Sequence, residues 1–404
     1  MPPKPSSKRA SRPATPSGGA TAIIAIVLLA IFGILFLVTG ADPLGIFTEG
    51  TTTAPQATLA LPADTGNTSG SSTDWEVYFT DPNTINNPED LTGSIPEILI
   101  QYIETAQTSI HIAAFEFNLT PVAQALIAAK KRGVDVRWVT DDEHGIEADT
   151  EDGRGQFAML KKANIPVRDD GRSALMHNKF IIFDGATVWT GSTNLTVNGN
   201  FRNNNNVIVL HSPQIAAIYE REFNEMWNGE FGPTSPTPTN LNQQAVNLNG
   251  MPVQILFAAE DRAIEQIIPL IESAQSSIRF MAFSFTHSAL GDAMLARAAD
   301  GVEVAGIFET RGSETEYSEL RPMYCARLSV RQDGNPGTFH HKVIIIDEKI
   351  VITGSLNFSD NANTSNDENV VILTNPQIAK LYLQEFSRRW DEATRPDPAD
   401  MNCK

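Results

Sequence analysis

The chain has almost no cysteine: Cys325 and Cys403 are the only two among its 404 residues. At most one disulfide is therefore available, which in an oxidising compartment would tie the C-terminal tail to the domain before it. The alternative is two unpaired thiols, since the sequence does not give the separation of the two residues. Ligand clusters with zinc-finger or EF-hand spacing are also missing, so the sequence predicts no metal and no other cofactor.

Basic residues are scarce. The chain has 30 Lys and Arg against 48 Asp and Glu, which gives a net charge of −18. The first forty residues contribute +4 and contain no acid, so residues 41–404 carry −22. A segment with this charge repels polyanions. Nonspecific nucleic-acid binding is disfavoured because it depends on positive side chains that neutralise phosphates. The charge therefore disfavours nucleic acid as a partner, without excluding a local basic pocket.

The chain has a single long apolar run, at residues 21–38. As a helix this run would rise about 27 Å, close to the roughly 30 Å hydrocarbon thickness of a membrane. Basic residues lie only before it, so the positive-inside rule predicts a single-pass anchor at 20–41, with the N-terminus in the cytoplasm and the residues after the anchor outside it. The alternative is a signal peptide cleaved near residues 39–41, although the run is longer than most signal peptides.

Composition divides the rest of the chain into segments. Residues 1–19 are rich in Pro, Ser and basic residues and predict a disordered cytoplasmic tail. Residues 42–74 are rich in Thr, Gly, Ser and Pro and predict a flexible stalk. Two globular lobes follow, with a proline-punctuated linker between them and a short tail at the end: 75–230, 231–250, 251–395 and 396–404.

One polar pattern occurs twice in the same apolar setting. A histidine, a lysine two residues later, four apolar residues and an aspartate make up each copy: His177, Lys179 and Asp184, then His340, Lys342 and Asp347. A Gly-Ser-x-Asn turn follows each copy, at 191–194 and 354–357. The offset between the histidines is 163 residues, as it is between Asn206 and Asn369. A constant offset without a gap indicates two copies of one unit of domain size.

The apolar residues of each motif predict a buried strand that mounts its polar side chains rigidly. Residues two apart in a strand face the same side, so the histidine and lysine of each copy project together. His341 has the opposite parity and is not assigned to the site. Strands rich in Val and Ile alternate with helical segments in both lobes. This alternation predicts α/β lobes, each with a mixed, mostly parallel sheet flanked by helices.

The duplicated motif resembles that of the phospholipase D superfamily, and the resemblance extends over about residues 75–395. It implies two lobes related by a pseudo-two-fold axis that share one active site, where one histidine attacks a phosphodiester and the other protonates the leaving group. Six residues would be catalytic: His177, His340, Lys179, Lys342, Asp184 and Asp347. Four would face the substrate phosphate: Ser192, Asn194, Ser355 and Asn357. The lysines would supply the positive charge that a metal provides elsewhere.

The two copies differ 28 residues after each motif histidine, where Asn205 stands in the first and Glu368 in the second. In the family this position commonly holds a carboxylate that orients the motif histidine. We therefore expect Glu368 to orient His340 and keep it protonated as the general acid. Asn205 would orient a neutral His177, the nucleophile. Alternatively, Asn205 lies on a surface turn and another carboxylate serves His177.

Glu116 is the one acid in the apolar strand at 110–117, where the second copy has Ser284. It is either exposed at the end of the strand or an orienting partner inside the cleft. The acidic loop at 141–152 is interpreted as solvated surface.

These expectations predict a metal-independent phosphodiesterase that hydrolyses phospholipid head groups through a phosphohistidine. Its partners would be the phospholipid and, through the anchor, the membrane; no oligomeric state is predicted. One alternative is a secreted or surface nuclease of the same chemistry, which the acidic body disfavours. A cardiolipin-synthase-like phosphatidyltransferase is disfavoured by the single apolar run. A non-catalytic envelope-binding module is disfavoured by the two intact motifs.

Overall fold

The computed structural model describes residues 70, 71, 73–236 and 241–403. The predicted tail at 1–19, the anchor at 20–41 and most of the stalk lie outside the described residues. Within the described part of the chain, none of the helices combines the length and the apolar character needed to cross a membrane.

Lobe 1 is one eight-stranded sheet with five α-helices. Its strands are β1 (Gly70–Ser71), β2 (Trp75–Phe79), β3 (Ser109–Ala114), β4 (Asp135–Thr140), β5 (Val167–Asp169), β6 (Lys179–Phe183), β7 (Thr187–Gly191) and β8 (Asn206–His211). Its helices are α1 (Ile95–Thr105), α2 (Thr120–Arg132), α3 (Gln156–Lys162), α4 (Val197–Phe201) and α5 (Pro213–Asn228). The acidic loop after β4 is not irregular, because it forms a π-helical turn at Asp142–Glu147 and a 3-10 turn at Ala148–Thr150.

Lobe 2 repeats this arrangement. Its strands are β9 (Ala245–Leu248), β10 (Met251–Ala258), β11 (Ser277–Ala282), β12 (Glu303–Phe308), β13 (Ser329–Gln332), β14 (Lys342–Ile346), β15 (Ile350–Gly354) and β16 (Glu368–Thr374). Its helices are α6 (Ala263–Glu272), α7 (Ser288–Ala299), α8 (Leu320–Cys325), α9 (Asp360–Thr364), α10 (Pro376–Glu392) and α11 (Pro398–Met401). Strand β9 lies inside the predicted linker and pairs with β10, so the sheet of lobe 2 begins before residue 251.

The two sheets have the same strand order. It runs β1-β2-β8-β7-β6-β3-β4-β5 in lobe 1, and the equivalent strands of lobe 2 follow as β9-β10-β16-β15-β14-β11-β12-β13. The prediction of mostly parallel sheets is wrong, because only β3-β4-β5 and β11-β12-β13 pair in parallel within these sheets. Short connections explain the difference: three residues join β6 to β7, and parallel neighbours need a crossover of a dozen or more.

The motif strands β6 and β14 lie in the middle of their sheets and are buried along their whole length. Each is paired on both sides, with β3 and β7 or with β11 and β15. The apolar residues after each motif lysine thus pack into the core, as the sequence predicts. Because a paired, buried strand has little freedom, the first residue of β6 or β14 is held in a fixed position.

Local signals set the helix ends. Gly133 ends α2 with φ 99°, a left-handed conformation that glycine adopts without steric cost. Ser212 and Asn375 cap α5 and α10, and a proline follows each cap in the first turn. These two long helices are equivalent members of the repeats.

Buried asparagines cross-link the lobes. Asn206 of lobe 1 accepts hydrogen bonds at Oδ1 from Thr353 Oγ1 (2.8 Å) and Tyr382 Oη (3.1 Å) of lobe 2. Its repeat equivalent Asn369 donates through Nδ2 to Thr190 Oγ1 (2.7 Å) and Tyr219 Oη (3.3 Å) of lobe 1. The reciprocal contacts are those of a pseudo-two-fold interface, in which each residue meets the partner's equivalent surface.

Cys325 and Cys403 form a disulfide across Cα atoms 5.4 Å apart. The bond ties the segment after α11 to the end of α8, so the C-terminal tail is held against lobe 2.

Candidate active site

The motif histidines lie just outside their strands. β6 and β14 begin at Lys179 and Lys342, and each histidine occupies an extended segment two residues earlier. The backbone N–H of His177 donates to Asp367 O (2.9 Å), and that of His340 donates to Asn204 O (2.9 Å). Each histidine is therefore fixed on one side by its own lobe's core strand and on the other by the backbone of the opposite lobe.

The side-chain partners of the histidines also come from the opposite lobe. Nδ1 of His177 lies 2.7 Å and 2.8 Å from the carboxylate oxygens of Glu368. Nδ1 of His340 lies 2.9 Å from Asn205 Oδ1. The prediction that Glu368 serves His340 and that Asn205 serves His177 is wrong. Both residues do orient motif histidines, but each contacts the histidine of the opposite lobe.

The assignment of parity is confirmed at His341. Its ring turns away from the cleft, so that Nε2 lies 3.1 Å from Glu385 Oε1 and Nδ1 lies 3.2 Å from Asn206 Nδ2. His341 thus belongs to the buried interface between the lobes.

The two lysines are held in matching positions. Lys179 Nζ donates to His177 O (2.8 Å), and Lys342 Nζ donates to His340 O (3.0 Å). Each ammonium group also lies over a phenyl ring, 5.2 Å from the Phe115 centroid for Lys179. The histidine ring of each motif packs on that same phenyl group, with centroids 4.9 Å apart at His177. Phe283 has the same two contacts in lobe 2, at 4.8 Å and 4.9 Å.

Burial lowers the pKa of the two motif histidines and the two motif lysines, and neighbouring positive charges add to the shift at His177, His340 and Lys342. Burial, followed by the charges of Lys179 and Lys342, lowers the pKa of both motif histidines well below the ordinary histidine value. Burial also lowers the pKa of Lys179 to about 8 and that of Lys342 well below the ordinary lysine value. The positively charged forms of these side chains are therefore disfavoured, and an anion bound among them would stabilise those charges.

Glu368 is the acid in direct contact with a motif histidine. Burial raises its pKa to about 8, against the opposing effects of Lys179, Ser355, Asn366 and Lys342. The pair of His177 and Glu368 therefore has a proton to share at neutral pH.

Ser192 and Ser355 were predicted to face the substrate phosphate, but their hydroxyls pack against other side chains. Both are fully buried. Ser192 Oγ donates to Asn205 Oδ1 (2.8 Å), and the Ser355 hydroxyl is hydrogen-bonded to Glu368. Each serine therefore positions the side chain that orients a motif histidine.

Asn194 contacts the predicted acid of the cleft. Its Nδ2 donates to Glu116 Oε1 (2.8 Å), and Arg154 Nη2 donates to the other oxygen (3.3 Å). Glu116 also raises the pKa of Lys179, after Glu368. Of the two interpretations of Glu116, the orienting partner inside the cleft is the one that fits these contacts. Asn357, the repeat equivalent of Asn194, is half-buried, and its Oδ1 has no hydrogen-bond partner among the described residues.

Asp184 and Asp347 lie away from the cleft, which corrects their predicted catalytic role. Each follows the far end of its motif strand, about 17 Å from the lysine at a strand rise of about 3.3 Å per residue. Asp184 accepts hydrogen bonds from three consecutive backbone N–H groups, at Gln107, Thr108 and Ser109. Asp347 does the same at Gln275, Ser276 and Ser277. Both aspartates thus fix the start of the neighbouring strand.

Sequence reasoning missed two buried acids that hold the histidine segments. Asp141 Oδ2 accepts from Met176 N (3.2 Å), and Glu309 Oε2 accepts from Phe339 N (2.6 Å), each one residue before a motif histidine. Both acids directly follow a parallel strand, β4 or β12. Glu309, a single acid directly after an apolar strand, was the available signal in lobe 2. In lobe 1 the interpretation of the acidic loop as solvated surface is wrong for Asp141, which is 1% exposed.

The sequence profile described as "Cardiolipin synthase, PLD-like domain" matches residues 99–227 and 267–390, more than half of the chain. The chain belongs to the phospholipase D superfamily. The two matched segments coincide with the two lobes, so the superfamily domain occurs twice.

Individual relatives match one superfamily domain. The mitochondrial cardiolipin hydrolase of Xenopus tropicalis is 35% identical over 142 residues, which are 35% of this chain and 66% of that protein. The chain thus spans just under two thirds of that relative's length. A phospholipase D of Rickettsia bellii is 32% identical over 155 residues, 38% of this chain and 77% of that protein.

The two-lobed fold also occurs in a solved structure. The phosphatidylserine synthase of Haemophilus influenzae has a TM-score of 0.59 at 14% identity, over 79% of this chain and 87% of that one. At this identity the likeness shows the fold alone.

Proposed function

We propose that the chain is a metal-independent phosphodiesterase that binds one substrate phosphate between its lobes and cleaves it through a phosphohistidine. The observation that carries the proposal is the crosswise hydrogen bonding of His177 to Glu368 and of His340 to Asn205. It supports a single buried cleft with two oriented imidazoles, beside which the two lysines also lie. Because Nδ1 of each ring is engaged, chemistry at phosphorus falls to Nε2.

The identity of the Nδ1 partner assigns the roles. When His177 Nε2 attacks phosphorus, its ring becomes a cation, and the Glu368 carboxylate at Nδ1 stabilises that charge. Asn205 is neutral, so it fixes the tautomer of His340 without holding the ring permanently charged. His177 is therefore the nucleophile and His340 the general acid. The sequence predicts the same two roles, although it pairs each histidine with the other orienting residue.

The reaction proceeds in two displacements. The lone pair of His177 Nε2 forms the N–P bond as the P–O bond to the leaving alcohol breaks, and protonated His340 gives its proton to that oxygen. His340, now neutral, takes a proton from water, whose oxygen attacks phosphorus and releases His177. Lys179 and Lys342 neutralise the phosphate oxygens as negative charge builds on them. The bound phosphate raises the pKa of His340, so that it is protonated when it acts.

A phospholipid is the proposed substrate. Two relatives are named cardiolipin hydrolase and phospholipase D, and residues 41–404 carry a charge of −22 that repels nucleic acid at long range. The predicted anchor would keep the lobes at a membrane on its extracytoplasmic side.

A product screen tests the proposal. The full chain in detergent is incubated with phosphatidylcholine, phosphatidylethanolamine, cardiolipin, single-stranded DNA and double-stranded DNA, each with and without EDTA. We expect head-group release from at least one lipid, unchanged by EDTA, and none in His177→Ala. Cleavage of DNA alone would replace the lipid by a nucleic-acid substrate. Complete loss of turnover in EDTA, restored by one particular cation, would disprove the metal-independent mechanism.

A further inference from the structure

Four acidic side chains meet between α5 of lobe 1 and the end of β10 in lobe 2. Glu222 and Glu225 lie on α5, and Glu260 and Asp261 follow β10. One carboxylate oxygen of each glutamate lies within 4.8 Å of those of the other two. Glu222 and Asp261 are each only 4% exposed. A buried group of like charges is costly unless cations or bound protons compensate it, and the side chains of Glu222 and Glu260 are hydrogen-bonded to each other.

Lobe 2 contains the same buried glutamate with cations around it. Glu385 lies on α10, 163 residues after Glu222. Its carboxylate lies 3.1 Å from His341 Nε2 and 3.3 Å from Arg389 Nε, and it pairs with Arg388. Although burial raises the pKa of Glu385, Arg389, His341 and Arg388 together lower it to about 2.

Lobe 1 has no cation at the three equivalent positions. Where lobe 2 has His341, Arg388 and Arg389, lobe 1 has Asn178, Glu225 and Met226. Burial, then the charges of Glu260 and Glu225, raises the pKa of Glu222 well above its ordinary value. Arg221 does act on the group, because it lowers the pKa of Glu225 and Asp261, but it is not among the causes that act on Glu222.

One buried oxygen of this group lacks a partner, and so does one at the repeat equivalent of His341. Asp261 Oδ1 and Asn178 Oδ1 have no hydrogen-bond partner within the described ranges. Asp261 directly follows Glu260 in the chain, and its charge raises the pKa of Glu222, Glu225 and Glu260. Asn178 is fully buried at the position from which His341 reaches Glu385 in lobe 2.

The other group of three close carboxylates is already compensated. Asp141, Asp142 and Asp170 also lie within 4.8 Å of one another. Asp141 accepts from His144 and Met176, and Asp170 accepts from Asp142 N and pairs with Arg172. This group therefore serves as a control.

We propose that Glu222, Glu225, Glu260 and Asp261 bind a divalent metal ion that joins the two lobes. An all-oxygen set rich in carboxylates suits calcium, which accepts six to eight oxygen ligands in flexible geometry. The ion supplies the positive charge that His341, Arg388 and Arg389 supply in lobe 2. It takes no part in the chemistry at His177 and His340, so the site is independent of the proposed function.

Calcium titration of the full chain in detergent, after removal of metal with EDTA, tests the site. We expect calorimetry to detect one Ca²⁺ per chain with a dissociation constant on the order of 10⁻⁴ M. Calcium at about a hundred times that constant should raise the melting temperature, because it binds the folded chain. Glu260→Gln should abolish both effects, and without calcium it should melt no lower than the wild type, since one repelling charge is removed.

Glu225→Arg and Asp142→Asn complete the experiment. Glu225→Arg places a cation where lobe 2 has Arg388, so it should eliminate calcium binding and raise the calcium-free melting temperature. Asp142→Asn alters the compensated group and should bind calcium as the wild type does. The proposal is overturned if the wild type shows neither binding heat nor a thermal shift. It is equally overturned if Asp142→Asn loses the ion while Glu260→Gln retains it.

Discussion

Glu368 of lobe 2 holds His177 of lobe 1 through Nδ1, at 2.7 Å, although the two residues are 191 positions apart in the chain. Asn205 and His340 form the reciprocal contact. Neither lobe alone supplies the side chain that orients its motif histidine, so the candidate active site exists only when both lobes are docked.

Replacement of either motif histidine should eliminate turnover. We expect His177→Ala and His340→Ala each to lower kcat by at least about 10²–10⁴-fold, the contribution typical of one acid–base group. The double variant should be little worse than the more impaired single variant, because the two rings act in one reaction. Steady-state kinetics of the three variants provides the measurement. Multiplication of the two single effects in the double variant would indicate two separate sites.

A phosphoenzyme should accumulate on His177. Rapid acid quench with labelled substrate, followed by peptide mapping, should place the label on the peptide that contains residue 177. In His340→Ala the label should form only with substrates whose leaving group needs no proton. Label on His340 would reverse the assignment of roles, and inversion of configuration at phosphorus would exclude the covalent intermediate.

Glu368→Gln should separate activity from stability. Burial raises the pKa of Glu368 from 4.5 to about 8 in the folded chain. The folded chain thus holds a proton that the unfolded chain releases, and stability falls as the pH rises through this window. The glutamine variant should therefore melt no lower than the wild type near pH 8. Its kcat should nevertheless fall by about 10²-fold or more, because the phosphoimidazolium loses its carboxylate.

The matched comparison for this variant is Glu385→Gln, which removes a buried carboxylate that arginines pair with. The pKa of Glu385 is lowered from 4.5 to about 2, so its charge stabilises the fold fully above pH 4.5, and this contribution is lost as the pH falls towards 2. This variant should lose melting temperature at neutral pH. A parallel loss of stability and kcat in Glu368→Gln would contradict the orienting role.

Phosphate affinity should decline with alkaline pH. Burial lowers the pKa of Lys179 to about 8 and lowers that of Lys342 well below the ordinary lysine value, so the ammonium charges are lost as the pH rises. Deprotonation of Glu368 near pH 8 adds a negative charge in the same range. Competitive inhibition by inorganic phosphate should therefore weaken as the pH rises through about 8. In Lys179→Arg, whose guanidinium remains charged, the decline should begin at higher pH; an unchanged profile would remove Lys179 from phosphate binding.

Loss of the strand-end aspartates should affect folding and not chemistry. Asp184→Ala leaves three backbone N–H groups without their common acceptor, which we expect to lower the free energy of unfolding by on the order of 2 kcal/mol. Chemical denaturation measures this change, and kcat below the melting temperature should be retained. Asp347→Ala should behave alike in lobe 2. A large fall in kcat without a loss of stability would return these residues to the catalytic group.

The sequence was sufficient for the repeat, the buried motif strands and the parity that separates His340 from His341. It was insufficient for the partners of the histidines. A residue 28 positions after a histidine has the same spacing whether it contacts that histidine or its equivalent in the other lobe, since a pseudo-two-fold axis exchanges the two. Spacing within a repeat therefore cannot distinguish the two arrangements.

Other errors have simpler physical causes. The strand rise alone separates Asp184 from Lys179 by about 17 Å, so the two residues of one motif are too far apart to act on the same phosphate. The family resemblance implied that Ser192 faces the phosphate, but its hydroxyl is buried and donates to Asn205. The short connection between β6 and β7 excluded a parallel pair and would have corrected the expected sheet type.

The unequal partners of the two histidines bear on how such a chain can arise. In an assembly of two identical subunits, one gene position would furnish the group beside both imidazoles, so any change that improved the attacking ring would alter the proton donor too. Fusion of the copies removes that coupling. The difference between Glu368 and Asn205 is therefore one that two identical subunits could not encode, and it leaves each ring free to adapt to its own half of the reaction.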